Sequence, residues 1–153
     1  MANKNFRRFL VLVFWLVIST AGAFAEDYYY RISSGLFEAK EGNTVLWSTT
    51  CYSGVSGIYR NNPSQTGERN YGPIPEGTWY ITGVTQSRGP LTIVLEAAQR
   101  SQLKGRDDDF RIHGDNSYGQ ASAGCIIMDR VYRERIARAY NNGSNPILYV
   151  SAY

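Results

Sequence analysis

"TWYITGV" (residues 78–84) alternates aromatic or apolar side chains with polar positions, and "LTIVLEA" (residues 91–97) answers it across Gln86 to Pro90. A period of two is the mark of a strand with one face buried, and the Gly and Pro between the runs supply a turn. Upstream, "YYYRIS" (28–33), "LFEAK" (36–40) and "TVLWS" (44–48) have the same β-forming character, with Glu41-Gly42-Asn43 as a tight connection. Downstream, "FRIHG" (110–114) and "ILYVSAY" (147–153) read as further strands. One helix interrupts this pattern. In "DRVYRERIARAYNNG" (129–143), Tyr132, Ile136 and Tyr140 share a face at i, i+4 and i+8. Asp129 can cap its start and Asn142-Gly143 can end it. The expected fold is mainly β, a meandering antiparallel sheet or sandwich with one C-terminal helix.

Between the first strands and this hairpin, residues 53–77 are dense in Gly, Asn, Ser and Pro and lack a sustained period. They read as one long loop, and long loops in compact domains tend to carry function or disorder.

The first 25 residues have a different composition. Lys4, Arg7 and Arg8 precede an apolar run from Phe9 to Ile18, and small residues lead to Ala23-Phe24-Ala25. This order predicts a secretory signal peptide at 1–25, cleaved after Ala25, with a single domain over 26–153 in the periplasm or outside the cell. The run is short of the ~20 residues a membrane span needs, so no stable membrane insertion is expected after cleavage. The formal net charge of +3 comes entirely from those three cations. Removing them from the 16 Lys and Arg leaves 13 against 13 Asp and Glu, without the basic footprint of a nucleic-acid binder.

The two cysteines, Cys51 and Cys125, would by default form one disulfide in an oxidising compartment. A single histidine and two cysteines fall short of a metal ligand set, and no cofactor motif is present. The run "RDDDF" (106–110) reads as a solvated turn, not a cation site. Tyr28 to Tyr30 read as core and cross-strand aromatics.

"FRIHGDNSYGQASAGCIIM" (110–128) holds the only histidine and one of the cysteines. A cysteine nucleophile needs a base, oxyanion donors and a tightly bent backbone. His113 ends a strand, from which it could meet Cys125 across the returning loop, and Ser122-Ala123-Gly124 lets the chain turn sharply before the sulfur. A helix beginning a few residues later would further lower the thiol pKa. Alternatively, His113 is a satisfied core histidine, Ser122, Gly124 and Gly114 are turn residues, and Cys125 is bridged to Cys51 in a secreted β-rich binding protein.

"IHG" followed by "SAGCI" resembles the signature of L,D-transpeptidase catalytic domains of the YkuD-like fold. "GPIPEGTWYI" (72–81) is similar to the Pro-x-Gly-aromatic-x-Ile entrance that these enzymes carry upstream. The closest likeness is to a compact branch that includes toxins directed at the peptidoglycan of competing bacteria. The resemblance implies that Cys125 is the nucleophile and His113 the general base, with Ser122 and Gly124 shaping the turn and oxyanion site. It implies peptidoglycan stem peptides as substrates, an L,D-carboxypeptidase, L,D-transpeptidase or D-amino-acid exchange reaction, no cofactor, and an immunity protein as partner if the chain is a toxin. Substrate contacts are expected from Gly114, Arg111, Tyr59 and Asn61. Many members have an arginine two positions after the cysteine. Ile127 stands there in this chain, so that contact is either lost or supplied by Arg111 or Arg130.

Overall fold

A computed structural model describes residues 26–153. The signal peptide expected at 1–25 lies outside the described residues. The chain forms β1 (Asp27–Arg31), β2 (Leu36–Glu41), β3 (Thr44–Thr50), β4 (Tyr52–Ser53), β5 (Gly77–Thr85), β6 (Thr92–Ala97), β7 (Arg111–His113), β8 (Ile126–Ile127), α1 (Arg130–Asn141) and β9 (Ile147–Ser151). Every strand expected from periodicity is present. The two-residue strands β4 and β8 are additions, being too short for any period to register.

All nine strands belong to one sheet, in the order β3-β2-β1-β9-β5-β6-β7-β8-β4. Only Cys51 separates β3 from β4, yet these are the two ends of that order. The sheet must therefore curl until its edges approach, which makes it nearly a barrel. Bulges at Ala39/Lys40 and between Ile81 and Gly83 add the local twist that such coiling requires. Two pairings are parallel, a departure from the purely antiparallel meander. β1 runs parallel to β9, and β7 to β8, the latter after a connection long enough for the chain to return before pairing.

The core is one cluster in which aromatic and aliphatic side chains are mixed. Tyr28, Tyr30 and Phe37 are buried, with Trp47 stacked on Phe37 at 5.8 Å, and Tyr29 stacks on Tyr149 across β1 and β9 at 5.1 Å. Trp79, Phe110, Ile112, Ile126 and Leu148 continue the same cluster. Helix α1 buries Ile136 and Ala137, while Tyr132 stacks on Trp47 at 5.3 Å and Tyr140 donates to the Thr82 carbonyl at 2.8 Å. Asp129 occupies the N-cap position, but its carboxylate makes no capping bond; its backbone carbonyl alone accepts from Tyr132 and Arg133.

Residues 54–76 are an ordered wall. A single 3-10 turn at Pro63–Gln65 is capped by the Asn62 side chain, and backbone bonds from Val55 to Tyr71 and from Gly72 to Glu68 fold the loop back on itself. It lies against the segment that carries Cys125 and forms one side of the cleft described below.

Candidate active site

The short parallel pair β7–β8 sets the geometry. Ile112 lies beside Ile126 and His113 beside Ile127. One step back along the register places Arg111 next to Cys125. Because side chains alternate along a strand, Ile112 and Ile126 enter the core while His113 and Cys125 fall on the other face. Both line one cleft that is open to solvent. Its rim carries Arg69 and Asn70 from the long loop, Arg88 from the β5–β6 connection, and Asp107 and Asp109 from the segment before β7.

The histidine is held in one orientation. Its Nδ1 lies 2.8 Å from the Gly114 carbonyl, an acceptor, so Nδ1 carries the proton of the neutral ring and Nε2 carries the lone pair. Nε2 is buried and has no partner within the protein. Burial pushes the His113 pKa below its usual value; the Gly114 bond opposes this, and the charges of Arg88 and Arg133 reinforce it. At neutral pH the ring is therefore an uncharged acceptor.

The Cys125 thiol is also buried and its pKa is raised, burial being the main cause. The backbone N–H of Arg111 and the charges of Arg88 and Arg111 work in the opposite direction, favouring thiolate, while Asp109 disfavours it. The sulfur sits 4.0 Å from the Asp109 carbonyl. Helix α1 begins beyond β8, at Arg130, so its first turn does not carry the cysteine. Its N-cap Asp129 instead borders a separate cavity with Cys51.

The turn before the sulfur is fixed by two buried hydroxyls. Ser122 Oγ donates to the Cys125 carbonyl at 2.7 Å and accepts from the N–H groups of Gly54 at 2.8 Å and Gly124 at 3.1 Å. That uses its full hydrogen-bonding capacity. Ser53 Oγ donates to the Gly124 carbonyl and accepts from the Ile74 N–H, each at 2.8 Å. Gly124 has φ +127°, and an added Cβ would fall 2.2 Å from Arg106 Nη2. Its N–H is engaged by Ser122, so the geometry makes both residues builders of the turn.

The expected substrate contacts divide. Arg111 adjoins Cys125 and is paired with Asp109. Gly114 orients His113 through its carbonyl, and a Cβ there would press on the Arg133 guanidinium at 2.9 Å. Asn61 and Tyr59 are absent from the cleft lining. Asn61 Oδ1 accepts from Tyr30 Oη at 2.9 Å and from the Ser53 N–H at 2.8 Å, while Tyr59 packs on Tyr71 at 5.3 Å. Arg130 is engaged with Glu134 on the exposed side of α1. The cations over the cleft are Arg69, Arg88 and Arg106, from three other segments.

The Cys51–Cys125 disulfide is overturned: both thiols are free. In the antiparallel β4–β8 ladder Tyr52 opposes Ile127 and Ser53 opposes Ile126, so Cys51 falls opposite Met128. Cys125 lies three residues farther along, about 10 Å at strand rise, beyond the ~7 Å Cα separation that a disulfide tolerates. Among the described residues, no group of three or more His, Cys, Asp or Glu is arranged to hold a metal ion.

Three buried residues gave no sequence signal. Arg106 hides in the acidic "RDDDF" run but is only 7% exposed. Arg133 sits in a helix rich in arginine and donates to the Met128, Pro90 and Leu91 carbonyls. Ser53 looked like the first residue of a loop.

A comparison with known protein families matches residues 48–150 to the Tlde1 domain. A search of curated proteins found no match.

Proposed function

The chain belongs to the Tlde1 domain family, whose members are L,D-transpeptidase-like type VI effectors that target peptidoglycan, and from that premise we propose that it is a cysteine enzyme acting on peptidoglycan stem tetrapeptides. In this reading His113 Nε2 takes the Cys125 proton and the sulfur attacks the carbonyl that precedes the terminal D-amino acid. The tetrahedral intermediate collapses to a thioester as the amine leaves with the proton returned by His113. Water then gives carboxypeptidase activity, a stem amine a cross-link, and a free D-amino acid an exchanged stem. A periplasmic site of action and a cognate immunity protein complete the proposal.

One observation carries it. A neutral imidazole, its tautomer set by Gly114, leaves an unpartnered Nε2 in the same cleft as a free thiol. A buried acceptor without a partner costs about 1–3 kcal/mol, so its retention calls for a reason. Proton acceptance from the adjacent cysteine, after rotation of the thiol away from Asp109, is such a reason, since catalytic hydrogen bonds are often long until substrate binds.

The test is incubation of purified tetrapeptide muropeptides with wild type, Cys125→Ala and His113→Ala, followed by mass analysis. Loss of the terminal residue, dimers or exchanged stems are expected with wild type alone. Equal product from Cys125→Ala would overturn the assignment.

A further inference from the structure

We infer that Arg106 is the fixed counter-charge that stabilises the Cys125 thiolate. The inference rests on Cys125 being the nucleophile.

Arg106 is one of two buried arginines without a carboxylate partner among the described residues. Its Nη1 donates to the carbonyls of Thr66 at 2.9 Å and Pro73 at 2.6 Å, and its Nη2 to those of Gly72 and Ala123, both at 3.2 Å. The guanidinium lies over the Phe110 ring at 4.8 Å. Carbonyl dipoles satisfy its N–H groups but leave a full positive charge in a partly dry cleft, and such a charge is costly unless an anion forms nearby. Ala123, which it grips, is two residues before Cys125, and Gly124 is kept without a side chain to let it approach. Arg106 and Cys125 line the same cleft, and the sulfur is the group there that turns anionic when the nucleophile forms. Ionised Cys125 favours the charged form of Arg106.

Other charges also face the thiol. Arg88 reaches it from the β5–β6 connection, and Asp109 and Arg111 from around the start of β7, while the neutral ring of His113 shares the cleft. Arg88 and Arg111 share the single carboxylate of Asp109, which offsets one of their two charges. Arg106 has no such neutralising partner.

The experiment reads the pH midpoint of Cys125 alkylation by iodoacetamide, mapped by mass to exclude Cys51, in wild type, Arg106→Lys and Arg106→Met. No substrate is present, so the outcome is separable from the muropeptide assay. Arg106→Met is expected to raise the midpoint by about one pH unit, a tenfold loss of thiolate at neutral pH, while Arg106→Lys stays near wild type. An unchanged midpoint in folded Arg106→Met would overturn the inference. Because loss of the clamp could prevent folding, Cys125→Asp and Cys125→Asn are compared with Arg106 intact. With a counter-charge present, the Asp variant melts no lower than the Asn variant at pH 7. An Asp variant that melts well below the Asn variant would likewise overturn it.

Discussion

His113 Nδ1 faces the carbonyl of Gly114, its own neighbour in sequence, at 2.8 Å, and that single bond decides which ring nitrogen is free to act as a base. Burial lowers the ring's pKa. The acid limb of kcat/KM for tetrapeptide turnover is therefore expected to fall below the ordinary histidine value of about 6.5, because only the neutral ring accepts a proton. Stability follows the same sign. A histidine whose folded pKa is depressed contributes fully above the unfolded value, and the contribution is lost as pH falls through the folded one. His113→Ala should lower activity by about 10²–10⁴-fold and remove this limb. An acid limb centred above 6.5 in wild type would contradict the neutral-base geometry.

The second cysteine leads to an alkaline prediction. Burial drives the Cys51 pKa well above the ordinary thiol value, and the Asp129 charge adds to it. An unfolded chain releases that proton near the ordinary thiol pKa, whereas the folded chain retains it, so stability declines as pH rises above about 9. Denaturant titrations at pH 8 and pH 10 should show the loss, and Cys51→Ala should flatten the slope even if its absolute stability is lower. A wild-type curve of equal steepness in Cys51→Ala would mean that other groups control the alkaline limb.

The sheet was readable because its longer strands alternate over five or more residues, as in Thr78–Val84 and Leu91–Ala97, and α1 because Tyr132, Ile136 and Tyr140 repeat at helical spacing. That His113 could meet Cys125 was readable from the strand end and the returning loop, and the motif likeness strengthened it. What brings them together, the parallel pairing of the two-residue β8 with β7, has no periodic signal. The turn's supports were hidden for a related reason. Arg106 and Ser53 are buried by contacts with segments tens of residues away, and composition near them suggested solvent. Asn61 shows the converse, since a polar loop residue proved to be a rivet under Tyr30 and Ser53.

Ser53 is fully buried, and its hydroxyl ties the carbonyl of Gly124 to the N–H of Ile74. Ser53→Ala leaves both backbone groups unsatisfied, at a cost of about 1–3 kcal/mol for each that water cannot reach. We expect a clear drop in the denaturation midpoint, accompanied by loss of turnover in protein that remains folded, because Gly124 precedes the sulfur. Ser64→Ala, whose hydroxyl bonds only to the neighbouring Asn62 and Gln65 side chains at the surface, should change neither by comparable amounts.

Two glycines separate backbone strain from site geometry. Gly143, after α1, has φ +83° and open space where a Cβ would sit, so Gly143→Ala carries conformational strain alone, about 1 kcal/mol or somewhat more. Gly124 has φ +127° and, in addition, a prospective Cβ 2.2 Å from Arg106 Nη2 and 3.0 Å from Phe110. Neither neighbour can yield freely, since the guanidinium is fixed by four carbonyls and the ring is wedged against Trp79 at 5.0 Å. Overpacking of this kind adds about 1–3 kcal/mol to the strain. Gly124→Ala should thus be the more destabilised of the pair in thermal melts, and it alone should lose activity, because relief of the clash moves either the Cys125 turn or the cation beside it. Equal melting temperatures and equal turnover for the two variants would show that the close approach of Arg106 to Gly124 has no part in holding the sulfur.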